Sequence, residues 1–338
     1  MWPVGDHGAA RSAEIMRTSA ALRRPESGVR VTEAGIGGVG LGTAPTARAD
    51  SSPAGRARLE AVVARAVERG IEWIDTAGIY GLGTTERAIG AALAGIDSRE
   101  WPAVATKCGL RWDAGAERAV AVGAAEVLRG QALRSCESLG ASRLDLLLLH
   151  RPPEDGTPLE AAWTVLAELA AEGIATCVGL SGCTAGEIAR CHAERPVDAV
   201  QAPLSLVRRE TIAGVVASCR ARGIPAIAHG ALETGLLRAP GGALPAAADR
   251  RRRSPLFGAP ERVEALVAGL DAIARDVRCT PAELAVAWPL TVPGVVAVAA
   301  GASEPAQVDG WASAGRVGLD EAARDAIDAL VAAQGAHR

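Results

Sequence analysis

Eight short apolar runs, separated by amphipathic helical stretches, recur along most of this chain. The runs expected as strands lie at 38–42, 71–75, 104–107, 144–150, 175–181, 197–201, 225–229 and 295–299. They lack a polar residue at every second position, so both faces must be covered, as in a parallel sheet flanked by helices. Between them, stretches such as RARLEAVVARAVERG, GTPLEAAWTVLAELAAEG and RRETIAGVVASCRARG repeat apolar residues at helical spacing. Each ends in Gly, as a helix C-terminus often does. Eight strand–helix units specify an α/β chain closed as a parallel eight-stranded (β/α)8 TIM barrel. The competing arrangement is a doubly wound sheet. It is weakened because no G-x-G-x-x-G pattern with a later acidic residue opens the first βα turn.

The outer bounds agree with one barrel. A chain of 338 residues with 49% apolar residues can bury a large core in a single domain. Residues 1–29 are polar and Ala/Arg-rich without an uninterrupted apolar stretch, so they read as a flexible arm and not as a secretion signal; the barrel is expected over 30–338. The apolar stretch 282–302 is cut by Pro289, Pro293 and Gly294 into a helix and a strand, each too short to cross a bilayer. A net charge of −3 gives no reason to expect a nucleic acid or an anionic membrane as partner. The seven cysteines form no C-x-x-C pair, which favours a reducing, cytoplasmic setting over a disulfide scaffold or a structural zinc site. Cys191-His192 is too small a set to hold a metal, and no metal is expected.

Chemistry gathers at the expected strand ends. Asp75, Lys107 and His150 close the second, third and fourth runs, and Tyr80, the only tyrosine, follows Asp75 by five residues. In a barrel these positions share the C-terminal face, where sites are built. A hydride arriving at a carbonyl carbon leaves an oxyanion that must be protonated. A free tyrosine titrates near ~10 and needs a neighbouring cation to serve as that acid at neutral pH. Lys107 supplies such a charge, Asp75 can hold the lysine, and His150 can hydrogen-bond the carbonyl.

The elements Asp75-Thr76-Ala77, Tyr80-Gly81-Leu82-Gly83, Thr85-Glu86, Thr106-Lys107 and Leu148-Leu149-His150 occur in this order. Together they resemble the signature of the aldo-keto reductases, with Thr85 in place of the usual serine. The resemblance runs from about residue 39 to about residue 330. It implies an NAD(P)(H)-dependent oxidoreductase that interconverts an aldehyde or ketone and an alcohol, with Tyr80 as general acid/base and Lys107, Asp75 and His150 as its partners. The GLG-T-T-E phrase is similar to the branch of aldose dehydrogenases, which oxidise a sugar to its lactone. A slowly turning over, cofactor-binding regulatory protein, like the channel β subunits of the family, is a further alternative. A Schiff-base aldolase using Lys107 is a third, and the Tyr/Asp/His set argues against it.

The same resemblance implies a cofactor site. Gly42 and Thr43 match the Gly-Thr near the nicotinamide ribose. Ser181 and Gln201 match carboxamide ligands, although Gly182 stands where the family often has asparagine. His229 replaces the aromatic ring that stacks on nicotinamide, and Gly235 and Leu236 keep the backbone pattern that holds the pyrophosphate. Ser303 and Gln307 fall in the segment that grips the adenosine 2′-phosphate, where Glu304 brings a carboxylate and no Lys or Arg occurs between Gly301 and Trp311. Trp311 can stack on adenine or pack under an outer helix. NADPH is expected, with NADH also usable, and the arginines 250–253 form a candidate clamp. Pro45, Ile79, Trp112, Arg151 and Leu204 are expected around a small carbonyl substrate.

Overall fold

The computed structural model describes residues 29–45, 52–237 and 260–334. In chain order it contains α1 (Val29–Glu33), β1 (Gly38–Gly42), α2 (Pro53–Glu68), β2 (Trp73–Asp75), α3 (Thr84–Leu93) and β3 (Ala103–Cys108). A hairpin follows, β4 (Leu110–Asp113) and β5 (Arg118–Ala121), then α4 (Ala125–Leu139), β6 (Leu144–Leu149), α5 (Leu159–Ala171), β7 (Ala175–Ser181) and α6 (Ala185–Glu194). The chain continues through β8 (Ala199–Pro203), α7 (Ala217–Arg220), β9 (Ala226–His229), α8 (Pro260–Asp276), α9 (Pro281–Ala287), β10 (Val295–Gly301), α10 (Pro305–Asp309) and α11 (Glu321–Ala333).

The eight main strands close as β1-β10-β9-β8-β7-β6-β3-β2, every neighbour parallel. This is the expected (β/α)8 barrel. Its interior is packed, not hollow: Trp73, Leu146, Leu148 and Ile227 interleave with Ala105, Ala199, Ala297 and Ala299. Trp73 fits because Gly40 opposes it; a Cβ at Gly40 would collide with the indole ring. Val31 and Ile36 belong to the same buried cluster, so α1 and the turn after it belong with the barrel. Residues 1–28, most of the expected arm, lie outside the described residues. A second apolar layer, including Leu59, Ile89, Leu128, Trp163, Ile188 and Val298, fills the space between strands and helices. Burying apolar side chains at roughly 25 cal/mol per Å² makes these two layers the main stabilising contribution.

Register places the strand ends together. Gly42 pairs with Asp75, Ser181 with Gln201, and His229 lies beside both Pro203 and Ala299. The second strand begins at Trp73, shorter than expected, and the sixth expected run is paired over Ala199–Pro203, two residues later.

Two regions depart more clearly from the expectation. The helical stretch before Gly223 is a π-type turn over Ile212–Val216 leading into α7, and not a continuous α-helix. Gly214 and the β-branched Ile212, Val215 and Val216 weaken ordinary helix there. The hairpin β4–β5 had no expected counterpart. Its turn is closed by Asp113, whose Oδ1 accepts from the N–H groups of Gly115 (2.9 Å) and Ala116 (3.0 Å). The apolar stretch 282–302 divides into α9, a 3-10 turn at Trp288–Thr291 and β10. Among the described residues no helix is long and apolar enough to cross a membrane.

Candidate active site

Asp75, Lys107 and His150 come together at the C-terminal face because β2, β3 and β6 are adjacent in the barrel. Lys107 Nζ donates to Asp75 Oδ1 at 2.7 Å and to the Thr76 carbonyl at 2.9 Å. Gln201 Nε2 donates to the same Asp75 oxygen at 2.8 Å. Thr43 closes the group from β1, donating through both its N–H (2.9 Å) and its Oγ1 (3.0 Å) to the Asp75 carbonyl.

Tyr80 is delivered by a tight turn. Gly81, Leu82 and Gly83 all have φ between +53° and +88°, which explains the two glycines of Tyr-Gly-Leu-Gly. The Lys107 ammonium lies 5.4 Å from the centre of the Tyr80 ring. The His150 ring meets Tyr80 edge-on, with centroids 5.9 Å apart.

The electrostatics follow from burial. Desolvation works against the buried Lys107 ammonium, but Asp75 and Tyr80 outweigh it, and the lysine is held above its ordinary value. It is therefore charged at neutral pH. Desolvation, aided by Lys107, Arg151 and His229, pulls His150 down to about 2. The imidazole is neutral, and its enclosed Nδ1 has no hydrogen-bond partner among the described residues.

Glu86 is a supporting residue whose role was not read from the sequence. It is buried at the start of α3 and accepts a 2.6 Å bond from Thr106 Oγ1. Burial pushes its carboxyl above the usual range despite hydrogen bonds from Thr106 and Ser135. The bond ties the helix following Tyr80 to the strand carrying Lys107. Its signal was the Thr-Glu pair in the motif, which by itself names no partner.

The expected cofactor residues are placed at consecutive strand ends. Ser181 and Gln201 are buried and paired in register. A hydroxyl beside a side-chain amide, whose Nε2 is already committed to Asp75, suits a carboxamide that both donates and accepts. The backbone at Gly182 has φ +65°, and a Cβ there would lie 3.3 Å from Arg151 Cγ. His229 ends β9.

The N–H groups of Gly235 and Leu236 bond the carbonyls of Leu232 (2.8 Å) and Glu233 (3.2 Å) within their own turn. Ser303 and Gln307 bind each other, Gln307 Oε1 accepting from the Ser303 N–H at 2.9 Å. Glu304 pairs with Arg58 of α2 at 3.2 Å, a cation that reaches this segment from another helix. Trp311 is fully buried in the outer core, so it packs and does not offer a face to adenine. The arginines 250–253 lie outside the described residues.

Of the substrate candidates, Ile79 is half-buried beside Tyr80 and Leu204 is buried. Trp112 is 46% exposed although it shares a hairpin face with the buried Leu110. Arg151 Nη2 donates to the Ala119 carbonyl at 3.1 Å, fastening the hairpin to the end of β6. Pro45 lies against Gly301, where a Cβ would approach its Cγ to 2.7 Å.

A cavity of about 990 Å³, lined in part by Glu33, Trp101, Arg143 and Asp145, opens at the opposite end of the barrel, where β3 and β6 begin. It touches none of the strand-end groups. Cys191 is buried and His192 Nδ1 accepts from the Val197 N–H at 3.1 Å, so this pair has a structural explanation. Among the described residues no three His, Cys, Asp or Glu side chains cluster as a metal site.

The sequence model of the Aldo/keto reductase family matches residues 36–332. An uncharacterized oxidoreductase of Mycobacterium tuberculosis is 31% identical over 302 residues, covering 88% of both chains. The solved structure of a glycerol dehydrogenase from Gluconobacter oxydans is 26% identical with a TM-score of 0.79, covering 89% of this chain and 93% of that one. An aldo-keto reductase structure from Bacillus halodurans shares the fold, with 23% identity and a TM-score of 0.71 over 91% of this chain and 96% of that one.

Proposed function

Because the chain belongs to the aldo/keto reductase family and is an oxidoreductase, we propose that it interconverts a small carbonyl compound and an alcohol with a nicotinamide dinucleotide, NADPH before NADH. The observation that carries this reading is the buried Lys107 ammonium, bonded to Asp75 at 2.7 Å and lying 5.4 Å from the Tyr80 ring centre. When bound, the dinucleotide supplies the hydride in reduction and takes it in oxidation. Ser181 and Gln201 are the residues suited to its carboxamide, with Gly42, Thr43 and His229 around the same end.

Tyr80 gives its hydroxyl proton to the substrate oxygen in reduction and takes it back in oxidation. Lys107 stabilises the negative charge left on the tyrosine oxygen, and Asp75 keeps the ammonium in place. His150, being neutral, orients the substrate oxygen. An orphaned buried N–H is rarer than an orphaned acceptor, so the proton belongs on Nε2, making that nitrogen the donor. A transition-state charge met by Tyr80, His150 and Lys107 requires no metal.

Oxidation of a polyol or aldose is the second reading, favoured by the similarity to a glycerol dehydrogenase. Cofactor absorbance distinguishes them when simple aldehydes, quinone-like ketones and aldoses are offered for reduction, and glycerol and aldoses for oxidation, with both nucleotides. Turnover only in the oxidative direction selects the second reading. No turnover in either direction, with tight nucleotide binding, leaves the regulatory alternative.

A further inference from the structure

The loop after β9 contains a buried carboxylate that the chemistry above does not use. Glu233 is only 4% exposed, in a segment placed where the dinucleotide's diphosphate is expected. Its Oε1 accepts from Ser205 Oγ at 2.7 Å and its Oε2 from Arg208 Nη2 at 2.7 Å. Ser205 and Arg208 are the two ends of one closed turn after β8. The Ser205 N–H donates to the Arg208 carbonyl at 3.0 Å, and Ser205 Oγ accepts from the Arg208 N–H at 2.9 Å. One carboxylate thus grips both ends of a neighbouring loop.

The backbone at the same point is strained. Glu233 and Thr234 have φ of +46° and +57°, followed by Gly235 at +94°. Side-chain-bearing residues adopt this region only where the surroundings over-determine it. The surroundings here are the Ser205 and Arg208 bonds, together with the closed turn formed by the Gly235 and Leu237 N–H groups on the Leu232 carbonyl.

We propose that Glu233 is a positioning residue for the dinucleotide, locking residues 230–237 after β9 to the turn after β8 so that the diphosphate meets this segment already in its binding conformation. The proposal rests on the cofactor reading above. Its physical basis is pre-organisation: a loop ordered during folding need not be ordered at the expense of binding. The carboxylate acts by reach and not by charge. A lone anion here would repel a diphosphate, and Arg208 cancels it.

Position and charge are separable by substitution. Glu233→Asp keeps the charge but shortens the arm by one methylene, so it cannot hold both donors without moving the loop. Glu233→Gln keeps the arm and one acceptor while losing the charge. Dissociation constants for NADPH and ADP-ribose are measured by calorimetry, with steady-state kinetics at saturating substrate. The expected result is a roughly tenfold or greater loss of affinity for both ligands in Glu233→Asp and Glu233→Ala. Glu233→Gln should stay within about threefold of wild type, and kcat at saturating cofactor should be unchanged throughout. Wild-type affinity in Glu233→Asp, or a larger loss in Glu233→Gln than in Glu233→Asp, overturns the proposal. Should Glu233→Ala fail to fold, the Asp and Gln variants decide the matter alone. If the wild-type protein binds neither nucleotide, it is the cofactor reading that fails, and the clamp falls with it.

Discussion

Lys107 Nζ and Asp75 Oδ1 form a buried ion pair at 2.7 Å. Gln201 shares the same oxygen at 2.8 Å, so the carboxylate joins the proposed acid–base group to a residue suited to the carboxamide. Removing one partner of such a pair leaves an uncompensated buried charge, which typically costs about 3–5 kcal/mol. Lys107→Met is therefore expected to lose both turnover and stability, while Lys107→Met with Asp75→Asn regains most of the stability and none of the turnover. Urea denaturation and cofactor absorbance are the two measurements. Activity returning with stability would reduce Lys107 to a structural charge.

Tyr80 is the only expected proton donor that also faces a charged lysine. Tyr80→Phe should leave the unfolding midpoint close to wild type and lower kcat for carbonyl reduction by on the order of 10²–10⁴-fold. A variant retaining half of wild-type kcat, with hydride transfer rate-limiting, would remove Tyr80 from the mechanism.

His150 predicts acid sensitivity. Its folded value, about 2, lies below the free histidine value. The unfolded chain thus binds more protons in between, and stability is lost as pH falls from about 6.5 toward 2. One group contributes a slope of at most about 1.4 kcal/mol per pH unit in that window. Burial comes first among the causes, followed by Lys107, Arg151 and His229. His150→Gln should flatten the slope between pH 6.5 and 4.5 in denaturant titrations. An unchanged slope would mean the imidazole protonates freely in the folded protein.

Nucleotide choice is expected to depend on the Arg58–Glu304 pair at 3.2 Å, since Glu304 occupies Arg58 in the segment expected near a 2′-phosphate. Both side chains are substantially exposed, so the effect is small, ~2–5-fold. Glu304→Ser should raise kcat/KM for NADPH relative to NADH, and Arg58→Ala should lower it. Equal effects on both nucleotides would place the pair outside the cofactor site.

Gly40 lies against the Trp73 indole with no room for a Cβ. Gly40→Ala must displace a side chain at the centre of the barrel, and overpacking of this kind costs roughly 1–3 kcal/mol or more. Thermal unfolding tests it. A wild-type midpoint would show that the ring can move.

Much of this protein was legible in the linear chain. Eight apolar runs alternating with helical periodicity indicate a barrel because burying both strand faces demands helices outside and no dinucleotide-type glycine pattern opens the first turn. Asp75, Lys107 and His150 could be placed on one face because each ends a run. The turn that carries Tyr80 was also marked locally, since Gly81 and Gly83 both take positive φ. What lay beyond reach depended on partners distant in sequence. Arg58 meeting Glu304, Arg151 meeting Ala119, and Gln201 meeting Asp75 across 126 positions leave no periodic trace. Nothing in the sequence singles out Glu233; its partners Ser205 and Arg208 lie on the loop of another strand. Trp311 offered two readings that only its burial separated. The hairpin β4–β5 went unread because its strands of four residues carry too little alternation to stand out. Periodicity records which face of an element is buried; which side chain waits on the other side is decided when the barrel closes.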